Sequence, residues 1–149
     1  MALPLDPPPR DANGNVIPHD HQGIKGDDGV IRRISPHFLV DDPKAGGKRL
    51  STMAFQTSSG PDGGMSVDLQ ALIEAAGLDA KVYVISPPWI GAVRFTAGDL
   101  RRENLIVGFD PRPEENLPFH GQAWGRITRS TAGRLLALAT IFVPVPGAS

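Results

Sequence analysis

Residues Ala92–Phe109, AVRFTAGDLRRENLIVGF, hold a short apolar alternation at Ala92-Val93-Arg94-Phe95, a polar span from Ala97 to Glu103 that fits a two-turn helix, and a second apolar run from Leu105 to Phe109. Neither apolar run is long enough for a deep parallel core, and the helix between them is brief. The same scale holds outward along the chain. Toward the N-terminus, Val30-Ile31-Arg32-Arg33-Ile34 predicts the first strand, Phe38-Leu39-Val40 a second, and Leu50 to Phe55 a third. Ser66 sits where it can cap a helix carrying Val67, Leu69, Leu72 and Ile73, which Gly77 would end. Lys81 to Ile85 alternates like a strand before Pro87-Pro88. Toward the C-terminus, Gln122-Ala123-Trp124 is a short strand, and Thr131 to Phe142, capped by Ser130, a last helix stopped by Pro144. Short strands with two or three helices and no regular strand-helix-strand alternation predict an α+β domain with a mixed or antiparallel sheet, rather than a doubly wound one.

The chain has 149 residues, enough for one core. The reading divides it into an acidic, proline-rich arm over 1–29, the α+β domain over 30–143 and a tail over 144–149. Seventeen glycines and fifteen prolines fall just short of a low-complexity composition. Pro4, Pro7, Pro8, Pro9 and Pro18 crowd the arm and Pro144 and Pro146 the tail, so both ends should be extended. Ser58 to Gly64, SSGPDGG, excludes regular structure.

A formal net charge of −1 gives no global basic field for nucleic acid or an anionic membrane, and no apolar run can cross a bilayer. There is no cysteine, hence no disulfide, thiolate nucleophile or cysteine-held zinc, and the start MALPLDPPPR lacks the layout of a secretory signal. A cytoplasmic location is the expectation. Among longer glycine patterns, neither the dinucleotide fingerprint nor the phosphate-loop spacing is present.

Four groups of residues carry candidate chemistry. His19-Asp20-His21 would face two imidazoles one way on an extended strand, as metal ligands, with Asp27 or Asp28 adding oxygen; a solvated acidic arm is the plainer reading. Asp110, Asn116 and His120 gather in a proline-punctuated loop near Trp124, so that His120 could act as general base oriented by a carboxylate, or the side chains could simply brace the loop. Arg32 and Arg33 are neighbours on a strand and must point to opposite faces, leaving one of them for an anion on the concave side. Arg126, Arg129 and Arg134 lie in a segment, 119–149, without Asp or Glu; lacking interleaved aromatic residues, they argue against a nucleic-acid site. Trp89 and Trp124 are pocket walls, interface anchors or core.

The motifs VIRRIS, LSTMAF and GGMSVDL between Val30 and Leu69, followed by GFDP and NLPFHGQAWG, resemble a family of small uncharacterised bacterial proteins, over about residues 30–125. That resemblance implies a recurring domain and transfers no activity. Arg32 or Arg33 on the opening strand, Ser51 and Phe55 in a later step, and Glu74 in the following helix are also similar in layout to small ADP-ribosyltransferase-like toxins, which would imply arginine on an NAD diphosphate and Glu74 on its ribose. Three functional expectations follow. The first is an interaction or accessory module whose arm docks on a protein partner or a second copy. The second is a small enzyme for NAD or another phosphorylated ligand, using Arg32 or Arg33 with His120 or Glu74 in one concave pocket. The third is a metal-binding protein through His19 and His21.

Overall fold

A computed structural model describes residues 5–44, 46–58 and 63–146. Its centre is a six-stranded antiparallel sheet built from β1 (Gly29–Ile34), β4 (Met65–Leu69), β5 (Gly91–Thr96), β6 (Ile106–Phe109), β7 (His120–Trp124) and β8 (Thr140–Val143), in the order β6-β7-β4-β1-β5-β8. A separate hairpin pairs β2 (Leu39–Asp42) with β3 (Gly47–Leu50). The helices are short: α1 (Gln70–Ala75), α2 (Ala80–Tyr83), α3 (Ala97–Arg102) and α4 (Arg129–Leu138). The fold is a compact α+β domain, antiparallel throughout its main sheet, as the short alternating runs require.

The stretch that predicts strand, two-turn helix, strand forms β5, α3 and β6. Thr96 ends β5 and caps α3: its side chain accepts from the Asp99 amide while Asp99 reaches back to the Thr96 amide. Four other expectations are corrected. Ser66 does not cap a helix, because Met65, Val67 and Leu69 alternate into the core and make Met65–Leu69 a strand; α1 begins only at Gln70, with no side-chain cap. Lys81 to Ile85 is not a strand: Asp79 accepts from the Lys81 amide and starts the single-turn α2, leaving Val82 outward. The last helix is capped by Thr128 rather than Ser130 and ends at Leu138, since the β-branched Thr140-Ile141 and the approaching Pro144 favour the extended β8. Likewise Leu50 to Phe55 divides into the end of β3 and a 3₁₀ turn over Thr52–Ala54. Of the expected Ser58–Gly64 loop, residues 59–62 lie outside the described residues, as do 1–4, 45 and 147–149; the Ser58 amide donates to the Gly64 carbonyl at 3.1 Å across the loop's base.

Both faces of the sheet are covered: one carries Val30, Ile34, Met65, Val67, Val93 and Phe95, all buried, with Phe55 edge-to-face on Phe95 at 5.6 Å between centroids, and Ile31 and Ala92 are buried on the other. Such an aromatic pair adds about 0.5–1.5 kcal/mol to its area burial. The arm runs along the outer edge of β6. The His21 amide donates to the Val107 carbonyl, the Val107 amide to the Asp20 carboxylate at 3.0 Å, and the Phe109 amide to the His19 ring at 3.3 Å. Gly108 makes that approach possible, since a Cβ there would stand 2.5 Å from the Trp124 ring and 2.7 Å from the His19 carbonyl.

Candidate functional site

β1 and β4 pair only at Val30↔Leu69 and Ile31↔Asp68, although β1 continues to Ile34 and β4 begins at Met65. Beyond Asp68 the two strands part, and the wedge between them opens into a cleft of about 440 Å³. That volume is within the range of small-ligand sites. The carbonyl of Ser66, which a continued ladder would have bonded to β1, instead accepts from Arg32 Nη1 at 2.9 Å, while Arg32 Nε donates to the Ala54 carbonyl at 2.8 Å. Arg32 therefore fills the gap in the ladder. Its guanidinium also lies 5.3 Å from the Phe38 ring centroid.

Arg33 leaves β1 on the opposite side and still lines the same cleft. The expectation that only one of the two arginines could reach a concave site is corrected by the wedge: where strands part, side chains from both faces can enter the opening. Arg33 meets Asp68 through Nε at 2.7 Å and Nη2 at 3.2 Å, with side-chain exposures of 13% and 5%, so this pair is almost wholly withdrawn from solvent. Its guanidinium lies 5.4 Å from the Tyr83 ring centroid. Burial, and next the Asp68 charge, raise the Tyr83 hydroxyl above its ordinary range. Arg32 moves the other way: burial, partly offset by Asp68, lowers it to about 10.

Asp68 lies opposite His120 in the β4–β7 register. Because the Leu69 amide donates to the Phe119 carbonyl, the adjacent Asp68–His120 pair is a non-hydrogen-bonded one, in which opposed side chains come closest. His120 is held from its other side by Asp110. Nδ1 donates to the Asp110 backbone carbonyl at 2.9 Å and stands 3.4 Å from Oδ2, which leaves the lone pair of the neutral ring on Nε2. Asp110 Oδ2 also accepts from Gln122 Nε2 at 2.6 Å and from Arg112 at 3.0 Å. Gln122 Oε1 in turn takes the Gly64 amide at 2.8 Å, fixing the network to the start of β4. Burial would raise the Asp110 carboxyl, but hydrogen bonds from His120 and Gln122 and the charge of Arg112 outweigh it and hold the group at about 2.

The cleft thus gathers Arg32, Arg33, Asp68, Arg112 and His120, with Phe38, Met53, Trp89 and Leu117 as apolar wall. Of the expected residues, Arg32, Arg33 and His120 converge, and Asp110 orients His120 from behind. Glu74 does not join them: it is exposed on α1 and accepts from Gln70 Nε2 at 3.1 Å. Ser51 caps the 3₁₀ turn and Phe55 is core. Asn116 is exposed in the left-handed conformation (φ 57°) at the end of the turn over Pro113–Glu115, and serves the backbone. Trp124 is buried, 5.4 Å from His19 between ring centroids.

His19 and His21 lie at the β6 edge. His19 Nδ1 donates to the Ile17 carbonyl; His21 Nδ1 accepts from the Gly23 amide and Nε2 donates to the Asp6 carbonyl at 2.9 Å. Between them Asp20 takes Arg101 at 2.9 Å. Among the described residues no three His, Asp or Glu side chains are grouped to hold a metal ion.

Sequence reasoning passed over Asp68, Arg112, Phe38 and Met53. For Asp68 a signal was present: the period-two apolar pattern of Met65, Val67 and Leu69 puts Ser66 and Asp68 together on the other face of a strand. No helix among the described residues is long and apolar enough to cross a membrane. The chain matches no protein-family model, no curated protein and no solved structure.

Proposed function

We propose that the protein is a small enzyme acting on a phosphorylated ligand bound in the wedge between β1 and β4. One observation carries this reading: both arginines of β1 and a histidine held by the Asp110 carbonyl, with the buried Asp110 carboxylate 3.4 Å from the same nitrogen, face a single small-ligand cleft. Arg32 is the anion anchor, since among the described residues it meets two backbone carbonyls and no carboxylate. His120 is the general base. Its Nε2 takes a proton from a water that attacks phosphorus; the ester P–O bond breaks, and the same proton passes to the leaving oxygen. The Asp110 backbone carbonyl fixes the productive tautomer, and its carboxylate stabilises the imidazolium between the two transfers.

A ³¹P NMR screen of phosphate esters tests this. His120→Ala should reduce the turnover found by about 10²–10⁴-fold, and Asp110→Asn should lower kcat more than it raises KM. Turnover unchanged in His120→Ala would refute the assignment.

A second reading, an interaction module for a protein partner or a second copy, is favoured by a different surface. Val82 on α2 is 71% exposed and Ile141 on β8 61%, and Lys81 lies 5.5 Å from the Phe142 ring centroid, so these elements are neighbours. Native mass spectrometry separates the two readings: a multiple of the subunit mass, lost in Ile141→Lys, supports association through this surface.

A further inference from the structure

The charges lining the cleft are paired except at one point. Arg33 is bidentate to Asp68. Arg112 meets Asp110 at 3.0 Å and Glu115 at 3.6 Å. Arg32 alone among these three guanidiniums has only neutral partners among the described residues. Against these three guanidiniums the cleft wall carries two carboxylates, Asp68 and Glu115, with Asp110 behind His120, and Arg32 is the guanidinium that no carboxylate contacts, Asp68 acting on it only through space. Any additional negative charge on the ligand would approach Asp68 or Glu115, and inside a cleft that repulsion is weakly screened.

The form of the phosphate follows from that balance. A phosphomonoester carries about −1.5 to −2 near neutral pH, and di- and triphosphates carry more, whereas a phosphodiester carries a single charge. The rest of the cleft describes what is attached to it. Trp89 is half-buried in the wall and has no ring or cation partner among the described residues, unlike Trp124, which packs on His19. An indole without a ring partner in the same cleft as Arg32 suits a flat heterocycle joined to an anion. The cleft volume of about 440 Å³ suits one such unit rather than an extended chain.

We infer that the site selects a singly charged nucleoside phosphodiester, its phosphate on Arg32 and its base against Trp89. The inference rests on the cleft being the functional site proposed above, and it narrows the phosphorylated ligand by charge.

Calorimetry at pH 8 on the full chain compares adenosine, adenosine 5′-monophosphate, adenosine 5′-triphosphate, adenosine 3′,5′-cyclic monophosphate and the dinucleoside monophosphate adenylyl-(3′→5′)-adenosine, with cyclic nucleotides of the other three bases alongside. At least one of the two diester forms, cyclic or linear, should bind about tenfold or more tighter than both adenosine and the monoester, and the triphosphate should be weaker still. Which diester wins tells whether the linkage is cyclic or joins two nucleosides. Arg32→Met should bring the diester down to the nucleoside's affinity, and Arg32→Lys should restore part of the difference. Trp89→Ala should weaken nucleoside and diester by the same factor. Thermal melts of each variant separate lost binding from lost fold.

Tighter binding of the monoester or triphosphate, abolished in Arg32→Met, would overturn the charge selection and leave the phosphate site standing. No phosphorylated probe binding better than adenosine would overturn both.

Discussion

Arg32 and Asp110 show at the level of single side chains how burial sets the chemistry of the cleft. Burial lowers Arg32 to about 10, so it stays charged at neutral pH, and an arriving anion would relieve the cost of keeping it so. Asp110 is buried as well, yet its three donors hold it at about 2 against an ordinary 3.8. Because the folded value is the lower one, Asp110 stabilises the fold fully above pH 3.8, and this contribution fades as the pH falls toward about 2. Asp110→Ala should cost about 1–3 kcal/mol at pH 7, since it leaves Gln122 and Arg112 donors unmatched, and the cost should shrink in acid. Urea melts of both proteins at pH 7 and pH 2.5 check this; a difference independent of pH would contradict the ionised, hydrogen-bonded carboxylate. Asp68 is the harsher position. Asp68→Ala strands the buried Arg33 guanidinium and should cost about 3–5 kcal/mol, while the double replacement of Arg33 and Asp68 by apolar residues should recover much of it.

The elements matter through their ends and edges. Thr96→Ala removes the hydroxyl half of the α3 capping box, leaving Asp99 on the residue-96 amide, and should lower stability by about 0.5–2 kcal/mol, read from denaturant midpoints. At the free side of β6, the arm supplies partners for the Val107 and Phe109 amides. Asp20→Ala removes the acceptor for Val107 and the anchor for Arg101, so hydrogen exchange at Val107 and Phe109 should accelerate while β1 and β4 amides stay protected. Uniform acceleration across the sheet would mean that the arm is integral to global stability. Strands with a plain apolar alternation were legible in the sequence: β1, β5 and β6 follow directly from Val30–Ile34, Ala92–Phe95 and Leu105–Phe109. β4 was obscured because Leu69, the last strand residue, is followed at helical spacing by Leu72 and Ile73, so strand and helix merge into one apparent stripe. α2 was obscured because a single turn is too short to show its period.

Across the whole molecule, the site arises from a property no local pattern encodes: where two paired strands separate. The sequence places Asp110 beside His120 in one loop and two arginines on one strand, and both assignments describe part of the cleft. That Arg32 and Arg33 enter the same opening depends on β4 docking between β1 and β7 with a pairing only two residues long. The spacing of His19 and His21 suggests metal ligands but hides that the Phe109 amide on the β6 edge occupies His19 Nε2, while Gly23 and Asp6 within the arm occupy both ring nitrogens of His21. The central claim is that this wedge is where the protein meets its ligand. Chemical-shift mapping of ¹⁵N-labelled protein during titration with the 3′,5′-cyclic nucleotides tests it most directly. The account predicts shifts concentrated at the His120 ring, the Arg32 Nε–H and the Trp89 indole N–H; unmoved cleft signals, or shifts confined to the α2 and β8 surface around Val82 and Ile141, would contradict it.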